Sequence, residues 1–468
     1  MKNTLNTFAL ILFCLSTALS QDLAGIWHGI TQNPNGQEIT FVFFFEKAEN
    51  GYQVTMAVPT FNVAGIKPKS NSLQEGQLII EDASLGMKYQ GQWSEASQQF
   101  EGSYTEGQMN LSLTLKRGNP PRPKLNRPQE PKKPYPYHEE KVIFFNTEAK
   151  VQLVGTFTRP SAPGHYPVVV LISGSGRHDR DGSMATHRPF LVLADYLTRN
   201  NIAVLRYDDR GFGESTGDFS QATTADFAQD VLSAVTYLKS RSDINPQQIG
   251  LIGHSEGGII APLAANQSTD IAFIVSLAGA GLPGREVAVM QSKSLRPFPV
   301  EDEKAFEQNV RKALDIASSD MTLNLKQKAL YMHNFSYLKP ILQSLGADDK
   351  NIEAFAQKET EALLKPWNQY FYNYNPALEF EKVQIPVLSL NGSKDVQVDA
   401  NINQNAIRAA LEKGANKQYR IKELPGLNHL FQECKTGKLD EYPNIEQTFS
   451  PKALREISDW ILARVVSN

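Results

Sequence analysis

Apolar and polar positions change their period along the chain. In residues 21–117 they alternate: Tyr52, Val54, Met56 and Val58 interleave with Gln53, Thr55 and Ala57. Met109, Leu111, Leu113 and Leu115 interleave in the same way with Asn110, Ser112 and Thr114. Period two marks strands with one buried face. Turn signals separate these runs at Asn33-Pro34-Asn35-Gly36, Glu49-Asn50-Gly51, Glu75-Gly76 and Glu106-Gly107. Short strands with regular turns predict a small all-β barrel or sandwich. Trp27 reads as core packing there, and His28 as a surface or satisfied residue rather than a ligand.

A second pattern begins near residue 141. Val142–Phe145 and Val151–Phe157 read as a strand pair. Val168–Ile172 is an unbroken apolar run, the mark of a strand buried on both faces. Comparable runs follow at Ile202–Leu205, Ile249–Ile252, Ile271–Leu277 and Val387–Leu390, and Tyr419–Leu424 fits a last strand. Helical stretches lie between them, at Pro189–Thr198, Thr224–Ser240 and Pro451–Val465. Alternating strands and helices predict an α/β domain over 141–468 with a doubly wound, mostly parallel sheet. The connection from Leu277 to Val387 is far longer than one crossover helix. Phe306, Val310, Leu314 and Ala317 recur in it at helical spacing, and Leu323–Tyr337 and Asn351–Leu364 read as further helices. A helical cap inserted at about 282–376 is expected. Between the two patterns, residues 118–140 hold Pro120, Pro121, Pro123, Pro128, Pro131, Pro134 and Pro136, which predicts an extended linker.

Residues 1–20 stand apart. Lys2, the apolar stretch Phe8–Leu15 and the small residues before Gln21 have the layout of a secretory signal peptide, too short to span a membrane. Cys14 falls inside it behind bulky residues unsuited to lipid attachment, so Cys434 alone would remain and no internal disulfide could form. An exported chain without disulfides fits the bacterial periplasm or exterior, and no stable membrane insertion is expected. The 468 residues can bury a large core without staples, and a net charge of −3 argues against a nucleic-acid partner. Metal-ligand spacing is missing, and no cofactor is expected.

The candidate chemistry centres on Gly253-His254-Ser255-Glu256-Gly257, between an apolar strand and a helical run. A serine on a tight strand–turn–helix bend projects at the C-terminal edge of the sheet, and its neighbours must be small. His254 is expected to diverge on that bend. A serine hydroxyl needs a base, and His429, in a loop after the last strand, fits. Asp395, after the Val387–Leu390 strand, fits the acid that orients the imidazole. One oxyanion donor should be the N–H of Glu256. The other should come from Ser173-Gly174-Ser175-Gly176, with Ser175 as candidate. The charges of Arg177–Asp181 read as an ion network shaping that loop. In the cap, Trp367, Tyr370, Phe371, Tyr372 and Tyr374 either pack it against the sheet or line an acyl or sugar pocket.

Ser173–Gly176 with Asp179-Arg180-Asp181, Tyr207–Gly213, Gly253–Gly258, Asn391–Asp395 and Asn428-His429 follow one another in order. Together they resemble the α/β-hydrolase superfamily, and more narrowly bacterial carboxylesterases of the EstD type and serine aminopeptidase-like hydrolases. The resemblance covers about 141–468 and implies that Arg210 and Gly211 build a structural turn. The loop departs from many esterases in opening on Ser173-Gly174 rather than His-Gly. The N-terminal part resembles the extra β domain of some exported hydrolases, and Gly25–Gly29 the opening strand of lipocalin-like barrels.

The expected function is a secreted serine hydrolase, a short-acyl carboxylesterase acting on small-molecule esters through an acyl-enzyme. A serine peptidase or amidase with the same triad is a second reading, and a non-catalytic glycan- or lipid-binding protein a third. Oligomeric state is not legible in the sequence.

Overall fold

The computed structural model describes residues 22–465 except 33–37, 49–50, 60–62, 84, 108, 121–125, 297–299 and 345–346. The expected signal peptide and Cys14 lie outside the described residues. The chain divides into two compact units, Met1–Lys124 and Leu125–Asn468.

The N-terminal unit holds β1 (Gly25–Gln32), β2 (Glu38–Ala48), β3 (Gly51–Val58), β4 (Val63–Ile66), β5 (Ser70–Gln74), β6 (Gln77–Asp82), β7 (Met87–Ser94), β8 (Gln99–Glu106) and β9 (Met109–Arg117). Among the described residues they form one nine-stranded sheet in the order β4-β3-β2-β1-β9-β8-β7-β6-β5. Neighbours run antiparallel, and β1 and β9 close the middle of the meander. Alternation gives the core. Phe41, Phe43 and Phe45 of β2 meet Leu111, Leu113 and Leu115 of β9 in one buried cluster. Trp27 sits in that cluster, edge-on to Trp93 and Phe100, with its indole N–H donating to the Leu23 carbonyl. His28 is satisfied by the Gly118 carbonyl at 2.8 Å.

The C-terminal unit contains β10 (Tyr137–Asn146), β11 (Val151–Pro160), β12 (Tyr166–Ile172), β13 (Ala203–Tyr207), β14 (Ile244–His254), β15 (Phe273–Leu277), β16 (Val387–Gly392) and β17 (Tyr419–Leu424). Its sheet runs β10-β11-β13-β12-β14-β15-β16-β17. β10 and β11 pair antiparallel at one edge, and from β13 onward all neighbours are parallel. Helices α1 (Pro189–Arg199), α2 (Thr224–Lys239), α3 (Gly257–Ala265) and, beyond the cap, α10 (Ala400–Lys413) and α11 (Pro451–Val465) cover it. The apolar runs read as doubly buried strands divide their side chains between two cores. Val168, Val170 and Ile172 face the cluster with α2, α3 and α10. Val169 and Leu171 face the one with α1 and α11.

The long connection between β15 and β16 folds as α4 (Gly284–Leu295), α5 (Glu303–Ala317), α6 (Leu323–Ser344), α7 (Asp349–Leu363), α8 (Pro366–Asn373) and α9 (Pro376–Phe380). α4 to α8 form the helical cap. Phe371 and Tyr374 seat it in a cluster with Ile259 of α3 and Val398.

The proline-rich stretch at 118–140 is not uniform. Its final residues already belong to β10. Before that, the Gln129 side chain donates to the Phe449 carbonyl at 2.6 Å and accepts from the Thr448 and Phe449 amides. Arg127 donates to the Thr186 hydroxyl at 2.6 Å. Residues from 126 onward are therefore a strap bonded to the C-terminal unit rather than a free spacer.

Candidate active site

β14 stops at His254, α3 starts at Gly257, and the turn between them puts Ser255 at φ +55°. A non-glycine residue there is strained and persists only where its surroundings hold it. Two bonds do so: the Ser255 amide donates to the Leu277 carbonyl at 2.8 Å, and the Gly258 amide to the Ser255 carbonyl at 2.9 Å. The flanking glycines are required by space. A Cβ on Gly253 would stand 1.8 Å from the Gly257 oxygen, and one on Gly257 2.2 Å from the Ile172 oxygen.

His429 and Asp395 come together although 34 residues separate them. His429 Nδ1 lies 2.7 Å from Asp395 Oδ2. Both are almost wholly withdrawn from solvent, with side-chain exposures of 3% and 0%. The other Asp395 oxygen accepts the amides of Gln397 and Val398 at 2.8 and 2.9 Å, which fixes the carboxylate plane. Such a carboxylate selects the imidazole tautomer with hydrogen on Nδ1 and leaves Nε2 as the basic nitrogen. Asn428 stiffens the loop, accepting the Leu430 and Gln432 amides on Oδ1.

Ser255 and His429 line one chamber of about 160 Å³. Ser173, Gly174, Ser175 and His178 contribute from the loop after β12, and Gln291 and Trp367 from the cap. Gly174 sits against the nucleophile: a Cβ there would be 3.1 Å from Ser255 Cβ. The amides of Gly174, Ser175 and Glu256 have no acceptor among the described residues. They are available to a ligand oxygen, and Gly174 joins Ser175 as a candidate on the loop side.

The loop is held from behind. Ser173 Oγ donates to Asp209 Oδ1 at 2.5 Å, and the His178 amide to Asp209 Oδ2 at 2.8 Å. Burial pushes the Asp209 carboxyl up to about 7, against the pull of those two donors. The following charges form the expected network. Arg180 pairs with Asp208 at 2.6 Å, Asp179 accepts the amides of Asp181 and Ser183, and Arg206 pairs with Asp181. Arg210 pairs with Asp230 at 2.7 Å beside Gly211 at φ +69°, the structural turn that was expected.

Two side chains differ from the sequence reading. His254 does not diverge. Its ring lines the chamber, packs 4.8 Å from the His429 ring, and its Nε2 bonds the His429 carbonyl at 2.8 Å. Burial, then the neighbouring His429, pull its pKa down to about 3, so it is neutral and donates from Nε2. Glu256 was read only for its backbone. Its side chain is buried, and its Oε1 accepts from Thr224 Oγ1 and from Trp367 Nε1, both at 2.7 Å. Burial raises its pKa, against hydrogen bonds from Trp367, Thr224 and the Ser175 side chain. One carboxyl thus links α2, the cap and the loop beside Ser255. An acid directly after a candidate nucleophile was the only sequence signal for this.

Residues 168–323 match the family described as serine aminopeptidase, S33. The chain is 28% identical to Esterase EstD of Thermotoga maritima over 295 residues, covering 62% of this chain and 60% of that protein. It is 36% identical over 126 residues to the uncharacterized protein YfhR of Escherichia coli K12, covering 27% of this chain and 41% of YfhR. The chain thus spans less than two thirds of the length of both relatives. Among solved structures, the Pyrococcus furiosus esterase Pf2001 aligns with 73% of this chain and 97% of its own, at 15% identity and a TM-score of 0.44. The sheet order and the strained turn at Ser255 give the C-terminal unit the α/β-hydrolase fold, with similarity to bacterial esterases of the EstD type.

Proposed function

We propose that this chain is an exported carboxylesterase that cleaves short-acyl esters of small molecules through an acyl-enzyme. The observation that carries the reading is the buried Asp395–His429 pair sharing a chamber with Ser255. His429 Nε2 takes the proton of Ser255 as its oxygen attacks the ester carbonyl. The oxyanion rests on the Glu256 amide and on an amide of the 173–176 loop, Ser175 or Gly174. The imidazolium, stabilised by Asp395, protonates the leaving alcohol. Water activated by His429 then releases the acid and restores Ser255. A chamber of about 160 Å³ favours a short acyl group.

Relatives and family descriptions name both esterases and a peptidase. The lining favours the ester. An aminopeptidase needs a carboxylate for the substrate's free amine, and none faces the chamber among the described residues. The Glu256 carboxyl is engaged by its three donors. Export is supported by the charge and apolar pattern of residues 1–20. Mass spectrometry of the mature protein should place its N-terminus near Gln21.

The deciding experiment is hydrolysis of p-nitrophenyl acetate by the wild type and Ser255→Ala. Wild-type turnover with a drop of at least about 10³-fold in the variant is expected. Equal rates would refute the reading.

A further inference from the structure

The cap holds a second pocket, of about 330 Å³ and partly open to solvent, among α4, α5, α6, α7 and α8. Its wall is largely apolar, with Phe306, Val310, Leu314, Tyr337, Phe355 and Leu363. Its size is at the lower end of the roughly 300–1,000 Å³ of small-molecule sites. Two polar groups of the wall are occupied. Asn334 donates to Thr360 at 3.2 Å, and Arg296 pairs with Glu303. Burial raises the pKa of Glu359, against the nearby charge of Lys358. The apolar part of its wall suits an apolar guest.

It also adjoins the chamber of Ser255. Gln291 of α4 lines both spaces. α8 borders both as well, with Trp367 on the chamber and Tyr372 on the cavity. The two spaces differ about twofold in size, which separates a small group beside the nucleophile from a larger apolar one in the cap. We propose that the cap cavity is the subsite for the alcohol arm of the substrate. The substrates are then short-acyl esters of extended apolar alcohols, with Gln291 at the passage between the two spaces. This rests on the ester-hydrolase reading above. At the ~30 Å³ that one water-sized unit fills in a liquid, the cavity has room for about ten methylene-sized units.

The test uses the full mature chain and n-alkyl acetates from ethyl to octyl. It compares the wild type with Val310→Trp and Ala288→Phe, which narrow the cavity from two different helices. Melting curves confirm that each variant folds, and either variant suffices if the other does not. Burying two further methylenes is worth about tenfold in binding. The wild-type ratio of kcat/KM for octyl over ethyl acetate should therefore be at least about tenfold, and should fall at least fivefold in the narrowed variants. A smaller fall overturns the proposal, as does a preference for long acyl chains (ethyl octanoate over octyl acetate) instead. A second readout does not depend on hydrolysis. Calorimetry of 1-octanol into Ser255→Ala should show binding that Ser255→Ala with Val310→Trp loses. If the wild type cleaves no ester, the parent reading fails, and this titration alone decides the cavity: equal binding, or none in either protein, refutes it.

Discussion

Replacing Glu256 by alanine removes one buried acceptor and leaves a buried donor, Thr224, and a half-buried one, Trp367, without a partner. Thr224 Oγ1 and Trp367 Nε1 each lie 2.7 Å from Glu256 Oε1. Stranding a buried donor costs about 1–3 kcal/mol, so Thr224 costs about that much, and the half-buried Trp367 adds less because water in the chamber can reach it. Trp367 is in α8, so much of this loss should appear as loosening of the cap rather than global unfolding. Hydrogen exchange of the α8 amides measures it directly. A loss of about 2 kcal/mol lowers their protection about 30-fold. Glu256→Gln retains a carbonyl oxygen for both donors, so its protection should stay within about fivefold of wild type. The acceptor argument fails if the alanine variant keeps wild-type protection in α8. It also fails if glutamine is as damaging as alanine, which would mean that the ionised carboxylate is what matters.

Asp395→Asn keeps an oxygen for the Gln397 and Val398 amides but turns an NH₂ toward His429, which favours the wrong imidazole tautomer. With p-nitrophenyl acetate, kcat should fall about 10³–10⁴-fold with little change in melting temperature, and a fall under tenfold would exclude Asp395 as the orienting acid. Asp209, raised by burial from 3.8 to about 7, should make the native state lose stability as pH rises between those values, because unfolding then releases its proton. Asp209→Asn lacks this term. Urea unfolding of both proteins at pH 4 and pH 7 should therefore show the wild-type advantage shrinking by up to about 4 kcal/mol, and an unchanged difference would mean that Asp209 is already ionised at pH 4.

What the sequence determined is local. Period-two alternation placed β3 and β9, and the unbroken run Val168–Ile172 announced a strand buried on both faces. Pro451–Val465 was legible as a helix with the bounds it has as α11. The Ser255 turn was legible for the same reason: its steric demands fall on Gly253 and Gly257, two residues away on either side. Asp395 and His429 were legible by position, because loops at the C-terminal ends of parallel strands meet at one edge of the sheet.

The tertiary structure decided which side chains complete the site. Glu256 finds Thr224 and Trp367 at 32 and 111 residues' distance, and His254 turns to a carbonyl 175 residues away. Gln129 ties part of an expected linker to the last loop, 320 residues on. The cap aromatics show the same division. Phe371 is buried against α3, Trp367 faces the chamber and Tyr372 faces the cap cavity, though they lie within six positions of one another. Hydrophobic periodicity reports which face of an element is buried, because burial acts on each element's own pattern. A buried polar group must find its hydrogen-bond partner wherever packing brings one. Partners so distant in sequence leave no period to read, and only the folded chain brings them within 3 Å.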